Sequence, residues 1–209
     1  MPAIVHSSIE TPAEIIFECQ DGQKGFLNRI NERTIHDETL LELMSQWRNE
    51  NMKYFLNQSI STPETTNSYL QNVFKNTNHT MYLLHTEGKV VVGHLGYFKV
   101  NRELVELDNL VRSKDPLPTD FIRMAERALI LEIFKLEHIG SIQLKVLARN
   151  VLAKRIHFSL GFELTESEEM IRVTNPHGGS SLIARAQQGK VDDILQTRTL
   201  SKSQWTIST

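Results

Sequence analysis

A single cysteine, Cys19, stands in 209 residues, which excludes an internal disulfide and a thiolate metal cluster. An excess of one charge is missing as well. Lys+Arg number 23 against Asp+Glu 25, a formal balance of −2, so the chain lacks the basic footprint of a nucleic-acid binder. Long apolar runs are absent: Ala128-Leu129-Ile130-Leu131 ends at Glu132, and no stretch is long enough to span a bilayer. No basic residue precedes Lys24, so a charged secretory or mitochondrial leader is not expected. None of the 8 histidines forms a His-x3-His pair or a comparable cluster, and no metal is predicted. What is present suits a folded domain. Hydrophobic residues at 40% and charged residues at 23% exclude wholesale disorder. The expectation is a soluble cytoplasmic protein with no membrane or nucleic-acid partner and one full-sized domain.

Hydrophobic periodicity divides the chain. Residues 1–22 read as an irregular arm with a short strand at Glu14–Glu18, and Gly25–Arg33 as a strand. Leu40, Leu43, Met44 and Trp47 have helix spacing over 37–49, with Asp37 as N-cap. A second helix starts at Thr62-Pro63, with Tyr69, Leu70, Val73 and Phe74 as its stripe. Met81–His85 and Val90–Val100 are strand-like and flank the turn Glu87-Gly88-Lys89. A strand at Glu103–Arg112, a loop from Ser113 to Pro118 and a helix from Phe121 to about Leu136 follow. Ser141–Ala148 alternates as a strand, 150–160 forms a short helix closed by Gly161, and Phe162–Val173 holds two strands. Asn175-Pro176-His177-Gly178-Gly179-Ser180-Ser181 breaks the chain. Beyond it a tail, 182–209, carries one or two helices and could pack on the domain, dimerise or stay mobile. The division is an arm (1–22), a domain (23–175) and a C-terminal extension (176–209). The order β-α-α-β-β-β-α-β-α-β-β argues for an α/β fold with one mixed sheet and helices on both faces.

This order and the stretch Ser141–Glu163, SIQLKVLARNVLAKRIHFSLGFE, resemble the GNAT N-acetyltransferase superfamily. The matching positions of its strand–helix signature are Asn150, Ala153, His157 and Gly161-Phe162. Trp47-Arg48-Asn49 followed by STPETTNSYL is similar to the amino-sugar and protein N-terminal branches. Glu106–Arg112, ELDNLVR, is similar to members that modify nucleotide-linked amino sugars. The resemblance implies acetyl-CoA as acyl donor. It implies that the strands Glu103–Arg112 and Ser141–Ala148 part around 108–112 and 144–148, so that the donor's pantetheine arm lies between them as an added strand would. The donor-binding residues implied are Leu110, Val111, Arg112, Lys114, Thr119, Arg123, Asn150 and Ala153. One departure stands out. The family's glycine-rich pyrophosphate loop is here Arg112-Ser113-Lys114-Asp115-Pro116-Leu117-Pro118-Thr119-Asp120, without a glycine. Pro116 and Pro118 lack an N–H, and Asp115 and Asp120 oppose phosphate, so Arg112, Lys114, Arg123 and Arg127 would have to supply positive charge.

Acyl transfer to an amine needs a base for the amine and an acid for the departing thiolate. Alternation puts Glu106, Asp108, Leu110 and Arg112 on one face of their strand. Two carboxylates there suit a base, with Asp108 preferred; the alternative is a salt bridge to Arg102, Arg112 or a helix arginine. His157 stands where the family's tyrosine, the proposed thiolate acid, usually lies; alternatively it packs or faces solvent beside Lys154 and Arg155. Arg48, Asn49, Tyr82 and Tyr97 are candidates for the acceptor side, His94 for a structural role. Acidic neighbours should raise the Cys19 thiol. The expected activity is acetyl-CoA-dependent N-acylation of a small-molecule primary amine, preferably a nucleotide-linked amino sugar. A protein N-terminal amine is the alternative acceptor. A GNAT-like domain that binds a ligand or partner without turnover is the rival class, favoured by the glycine-free loop.

Overall fold

Alternation on the strands and helical spacing sort the apolar residues onto two faces of one sheet. The computed structural model describes residues 10–176, 178–186 and 190–208. Residues 1–9 of the expected arm and His177 of the expected break lie outside them. Strands β1 (Glu14–Glu18) and β2 (Lys24–Arg29) come first, then helix α1 (Glu38–Glu50), the two-residue strand β3 (Asn57–Gln58) and helix α2 (Pro63–Lys75). Strands β4 (His79–Thr86), β5 (Val91–Lys99) and β6 (Leu104–Arg112) form a meander. Helix α3 (Phe121–Phe134), strand β7 (Ser141–Leu147) and helix α4 (Val151–Ser159) follow. Strands β8 (Glu163–Thr174), β9 (Ser180–Ala184) and β10 (Asp193–Ser201) and helix α5 (Lys202–Ser208) complete the chain.

The order across the sheet is β1-β2-β4-β5-β6-β7-β10-β8-β9-β3. Strands β6 and β7 run parallel; their neighbours on either side, β5 and β10, pair antiparallel to them. Tyr82 and Leu84 of β4 join the core under α3, whereas Met81 and Leu83 join the core under α1 and α2. That alternation sets helices on both faces, as the period-two pattern requires. Local signals fix the helix starts. Asp37 accepts from the Leu40 N–H at 3.0 Å. Thr62 and Thr65 form a reciprocal capping box that spans Pro63. Such a cap contributes about 1 kcal/mol. Among the described residues no helix is long and apolar enough to cross a membrane.

Three expectations are corrected. Residues 163–174 form one strand, not two. The segment after residue 175 supplies strands β9 and β10, with the seven-residue α5 its one described helix. Strand β10 lies between β7 and β8, antiparallel to both, so this segment is part of the sheet rather than an extension to it. Its sequence, DILQTRTLS, is mostly polar, and only Leu195 and Leu200 are buried. Its place is therefore set by backbone pairing on two sides more than by apolar burial.

Candidate active site

Strands β6 and β7 pair over a short stretch, from Leu104 opposite Ser141 to Leu107 opposite Leu144. Beyond it each follows a different neighbour. Strand β7 stays with β10, Val146 opposite Gln196 and Leu147 opposite Leu195. Strand β6 stays with β5 but bulges: pairing steps from Asp108–Gly96 to Val111–His94. Asn109 at this step has a φ of 56°, the left-handed conformation that asparagine tolerates. The bulge turns the strand over. Val105 and Leu107 face the α3 core and Leu110 packs against it, but Val111 belongs to the α1–α2 core. The expected common face for Glu106, Asp108, Leu110 and Arg112 therefore ends at Asp108.

A cavity of about 290 Å³ opens where the strands part. It is lined by β6 from Glu106 to Arg112, by Leu144–Val146 of β7, by Ile122 and Glu126 of α3, and by Asn150, Ala153 and His157 at α4. Asn150 Oδ1 accepts from the Ala153 N–H at 3.2 Å and so starts α4 at the cavity's rim.

The two carboxylates have separate partners. Glu106, 8% exposed, accepts from Gln143 Nε2 at 2.6 Å and lies 3.4 Å from Lys145 Nζ. The residues expected to pair with it were arginines; β7 supplies a lysine and an amide instead. Asp108 Oδ2 accepts from Asn109 Nδ2 at 2.6 Å and stands 3.0 Å from His79 Nε2. The His79 ring meets Tyr69 and Phe98 edge-on, with centroids 6.5 and 6.1 Å away. Desolvation, followed by the Asp108 carboxylate, pushes the Tyr69 phenol up from its ordinary value.

His157 is 7% exposed and does not face solvent. Its Nε2 stands 3.3 Å from Oε1 of Glu126, itself 3% exposed, and its ring meets Phe162 edge-on at 5.9 Å. Sequence reasoning missed Glu126. The available signal was a glutamate inside the apolar stripe of α3, four residues after Ile122 and four before Ile130. It also missed His79 and Tyr69, which carry no local signal because α2 and β4 bring them together.

Several expected site residues lie elsewhere. Tyr82 and Tyr97 are 0% and 1% exposed, and both hydroxyls bond the Thr11 hydroxyl, at 2.7 and 2.9 Å. They clamp the arm and do not line the cavity. Asn49 spends its side chain on Ser61, donating to its carbonyl at 2.8 Å and accepting from its N–H at 2.7 Å. Arg48 donates to the Asn57 carbonyl at 2.7 Å and stacks 3.5 Å over Phe55; burial lowers its pKa to about 10. Lys114 pairs with Glu50 at 3.4 Å. Arg123 pairs with Asp120 at 3.4 Å, and Thr119 is exposed. None of these three lines the cavity. His94 is buried, with its pKa lowered to about 4 by burial. Cys19 is raised to about 11, by burial first and then by Asp120 and Asp21.

No family model matches the sequence, and no curated protein matches it either. Solved structures do. A probable acetyltransferase of the GNAT family from Chromobacterium violaceum superimposes with a TM-score of 0.71 over 99% of this chain and 95% of its own, at 12% identity. The chain has the GNAT fold. Spermidine N-acetyltransferase from Vibrio cholerae, solved with CoA and spermine, shares it with a TM-score of 0.67 over 87% of this chain and 98% of its own, at 10% identity. RimL, a ribosomal L7/L12 alpha-N-protein acetyltransferase solved with CoA, does so with 0.67 over 86% and 95%, at 12% identity. The loop into α3, residues 112–120, has no glycine. Asp120 at the helix start accepts from the Gln20 N–H at 3.1 Å, so a carboxylate of the chain itself stands at the positive end of α3.

Proposed function

We propose that the protein is an acetyl-CoA-dependent N-acetyltransferase that acylates a primary amine by direct attack. The observation that carries this reading is the parting of β6 from β7 past Leu107 and Leu144, with a cavity between them. The β6 backbone has no β7 partner from Asp108 onward, and a pantetheine arm has the amides to bond it. Leu110, Val111, Asn150 and Ala153 border that path. The residues there fit such an arm. At the pyrophosphate end, Arg112 is the expected cation that lines the cavity, in place of glycine-loop amides.

When bound, acetyl-CoA supplies an acyl group activated as a thioester. The chain's own part is proton handling. Asp108 Oδ2, held by Asn109 and flanked by His79, takes the proton of the attacking amine. Glu106, fixed by Gln143 and Lys145, adds negative charge that draws a cationic amine into the cavity. His157 gives a proton to the departing sulfur.

The acceptor is a primary amine on a small molecule or a protein N-terminus. A nucleotide-linked amino sugar is the less supported choice, because Arg48 and Asn49 are committed to Asn57, Phe55 and Ser61. The rival reading is a domain that binds without turnover, favoured by the Asp120 carboxylate at the start of α3. Thermal shift with acetyl-CoA, and separately with CoA, separates them. A melting temperature that rises with ligand supports the transferase reading, by mass action. No rise at millimolar ligand supports the rival.

A further inference from the structure

The cavity between β6 and β7 and the loop that follows β6 suit different parts of one ligand. Past Leu107 the β6 backbone has no β7 partner, and Leu110, Ile122, Leu144, Val146 and Ile156 wall the cavity there. Unpaired backbone groups beside apolar walls suit the amides and methyl groups of a pantetheine arm. Two long cationic side chains line the same cavity, Lys145 and Arg112. Lys145 already faces Glu106, 3.4 Å away. Arg112 Nη1 donates to the Ser113 carbonyl at 3.3 Å, a contact that leaves the guanidinium its charge for a phosphate.

The loop does not continue this site. None of the residues from Ser113 to Asp120 lines the cavity. Much of the backbone there is spent within the chain. The Ser113 N–H donates to the Val92 carbonyl at 2.8 Å, the Asp115 N–H to Ser113 Oγ at 3.3 Å and the Phe121 N–H to the Pro118 carbonyl at 3.0 Å. Pro116 and Pro118 have no N–H to offer. The start of α3 is taken up as well. Asp120 stands there, bonded by the Gln20 N–H of the β1–β2 turn and by Arg123, and Phe17 of β1 meets Phe121 edge-on with ring centroids 5.0 Å apart. A second phosphate arriving at this helix end would meet a carboxylate and the chain's own hairpin instead of a cradle of amides.

We propose that the donor is recognised as an acyl-phosphopantetheine: the cavity holds the arm, Arg112 meets the one phosphate at its end, and the adenine nucleotide of acyl-CoA adds no binding. This rests on the transferase reading above and narrows its donor. The same group has two sources. In coenzyme A its phosphate continues into the nucleotide; on a carrier protein the phosphate is esterified to a serine. A site that needs no nucleotide takes the arm from either.

The test is calorimetric binding to the full chain of CoA, 4′-phosphopantetheine, pantetheine and adenosine 3′,5′-bisphosphate. CoA and 4′-phosphopantetheine should have Kd values within about fivefold of each other. Pantetheine, which lacks the phosphate, should bind about tenfold more weakly, and Arg112→Gln should close that gap. Adenosine 3′,5′-bisphosphate should neither bind nor displace CoA at millimolar concentration. A larger advantage for CoA over 4′-phosphopantetheine, displacement by the bisphosphate, or a pantetheine gap that survives Arg112→Gln overturns the proposal and leaves the transferase reading standing. Binding of neither CoA nor 4′-phosphopantetheine overturns both. An acyl carrier protein with and without its phosphopantetheine distinguishes the sources. Binding of the armed form alone supports the carrier as a source; no binding of the armed form overturns the carrier and assigns the group to coenzyme A.

Discussion

Gly96 of β5 sits directly opposite Asp108 of β6, so close that a Cβ on Gly96 would stand 3.2 Å from Asp108 Oδ1 and 2.6 Å from the Thr80 carbonyl oxygen. The missing side chain lets the bulge form and lets Asp108 lie against the strand. Gly96→Ala should therefore shift the β5 backbone and cost about 1–3 kcal/mol in urea unfolding, with weaker acetyl-CoA binding. Gly88→Ala is the control, since its Cβ would meet only Thr86 Oγ1, at 3.8 Å. Equal stability of the two variants contradicts the role given to Gly96.

Asp108→Asn and Glu106→Gln probe the proton acceptor. Asp108→Asn should reduce kcat by about 100-fold or more with little change in acetyl-CoA affinity. Glu106→Gln should act mainly on the KM of a cationic acceptor, because Glu106 is already bound by Gln143 and Lys145. Steady-state kinetics with both substrates varied checks this. Loss of donor affinity in Asp108→Asn means that its role is misassigned.

The sequence made most elements legible and left the geometry of the site partly hidden, for identifiable reasons. Helices α1 and α2 announce themselves by Asp37 and by Thr62-Pro63 and by apolar spacing, and the β4–β5 hairpin by alternation around Gly88. Strand β10 was unreadable because its apolar content is slight and its partners are more than twenty residues away by the register, Leu147 and Met170 among them. The bulge at Asn109 was unreadable because a single residue in a left-handed conformation leaves no periodic trace, yet it reverses the strand's faces. Tyr82 and Tyr97 looked like cavity residues because nothing local shows that Thr11, 86 positions before Tyr97, covers them. Glu126 was visible as an acidic residue on an apolar stripe and went unread.

Thr11 tests the clamp. Thr11→Val keeps the shape and leaves the Tyr97 hydroxyl without its partner, whereas Tyr82 keeps the Pro12 carbonyl at 2.8 Å. Stability should fall by about 1–3 kcal/mol, the cost of a buried hydroxyl left unpaired. Acetyl-CoA binding to the folded variant should be unchanged. A variant that is folded but does not bind puts the tyrosines back in the site.

His94 gives the fold a pH dependence. Burial lowers its pKa from 6.5 to about 4, so the folded chain keeps it neutral while the unfolded chain protonates it. Its contribution is complete above pH 6.5 and is lost as pH falls toward 4, a change of about 3 kcal/mol in order of magnitude. His85, lowered by burial in the same direction, adds to it. Denaturant unfolding at a series of pH values should show this slope, and His94→Gln should flatten it. An unchanged slope contradicts the assignment.

Amide hydrogen exchange with and without acetyl-CoA tests the place of donor binding most directly. Acetyl-CoA should slow exchange at residues 108–112 of β6 and at 145–146 of β7 beside the cavity, where β6 and β7 no longer pair. Protection that falls elsewhere, or no protection at saturating ligand, contradicts the account.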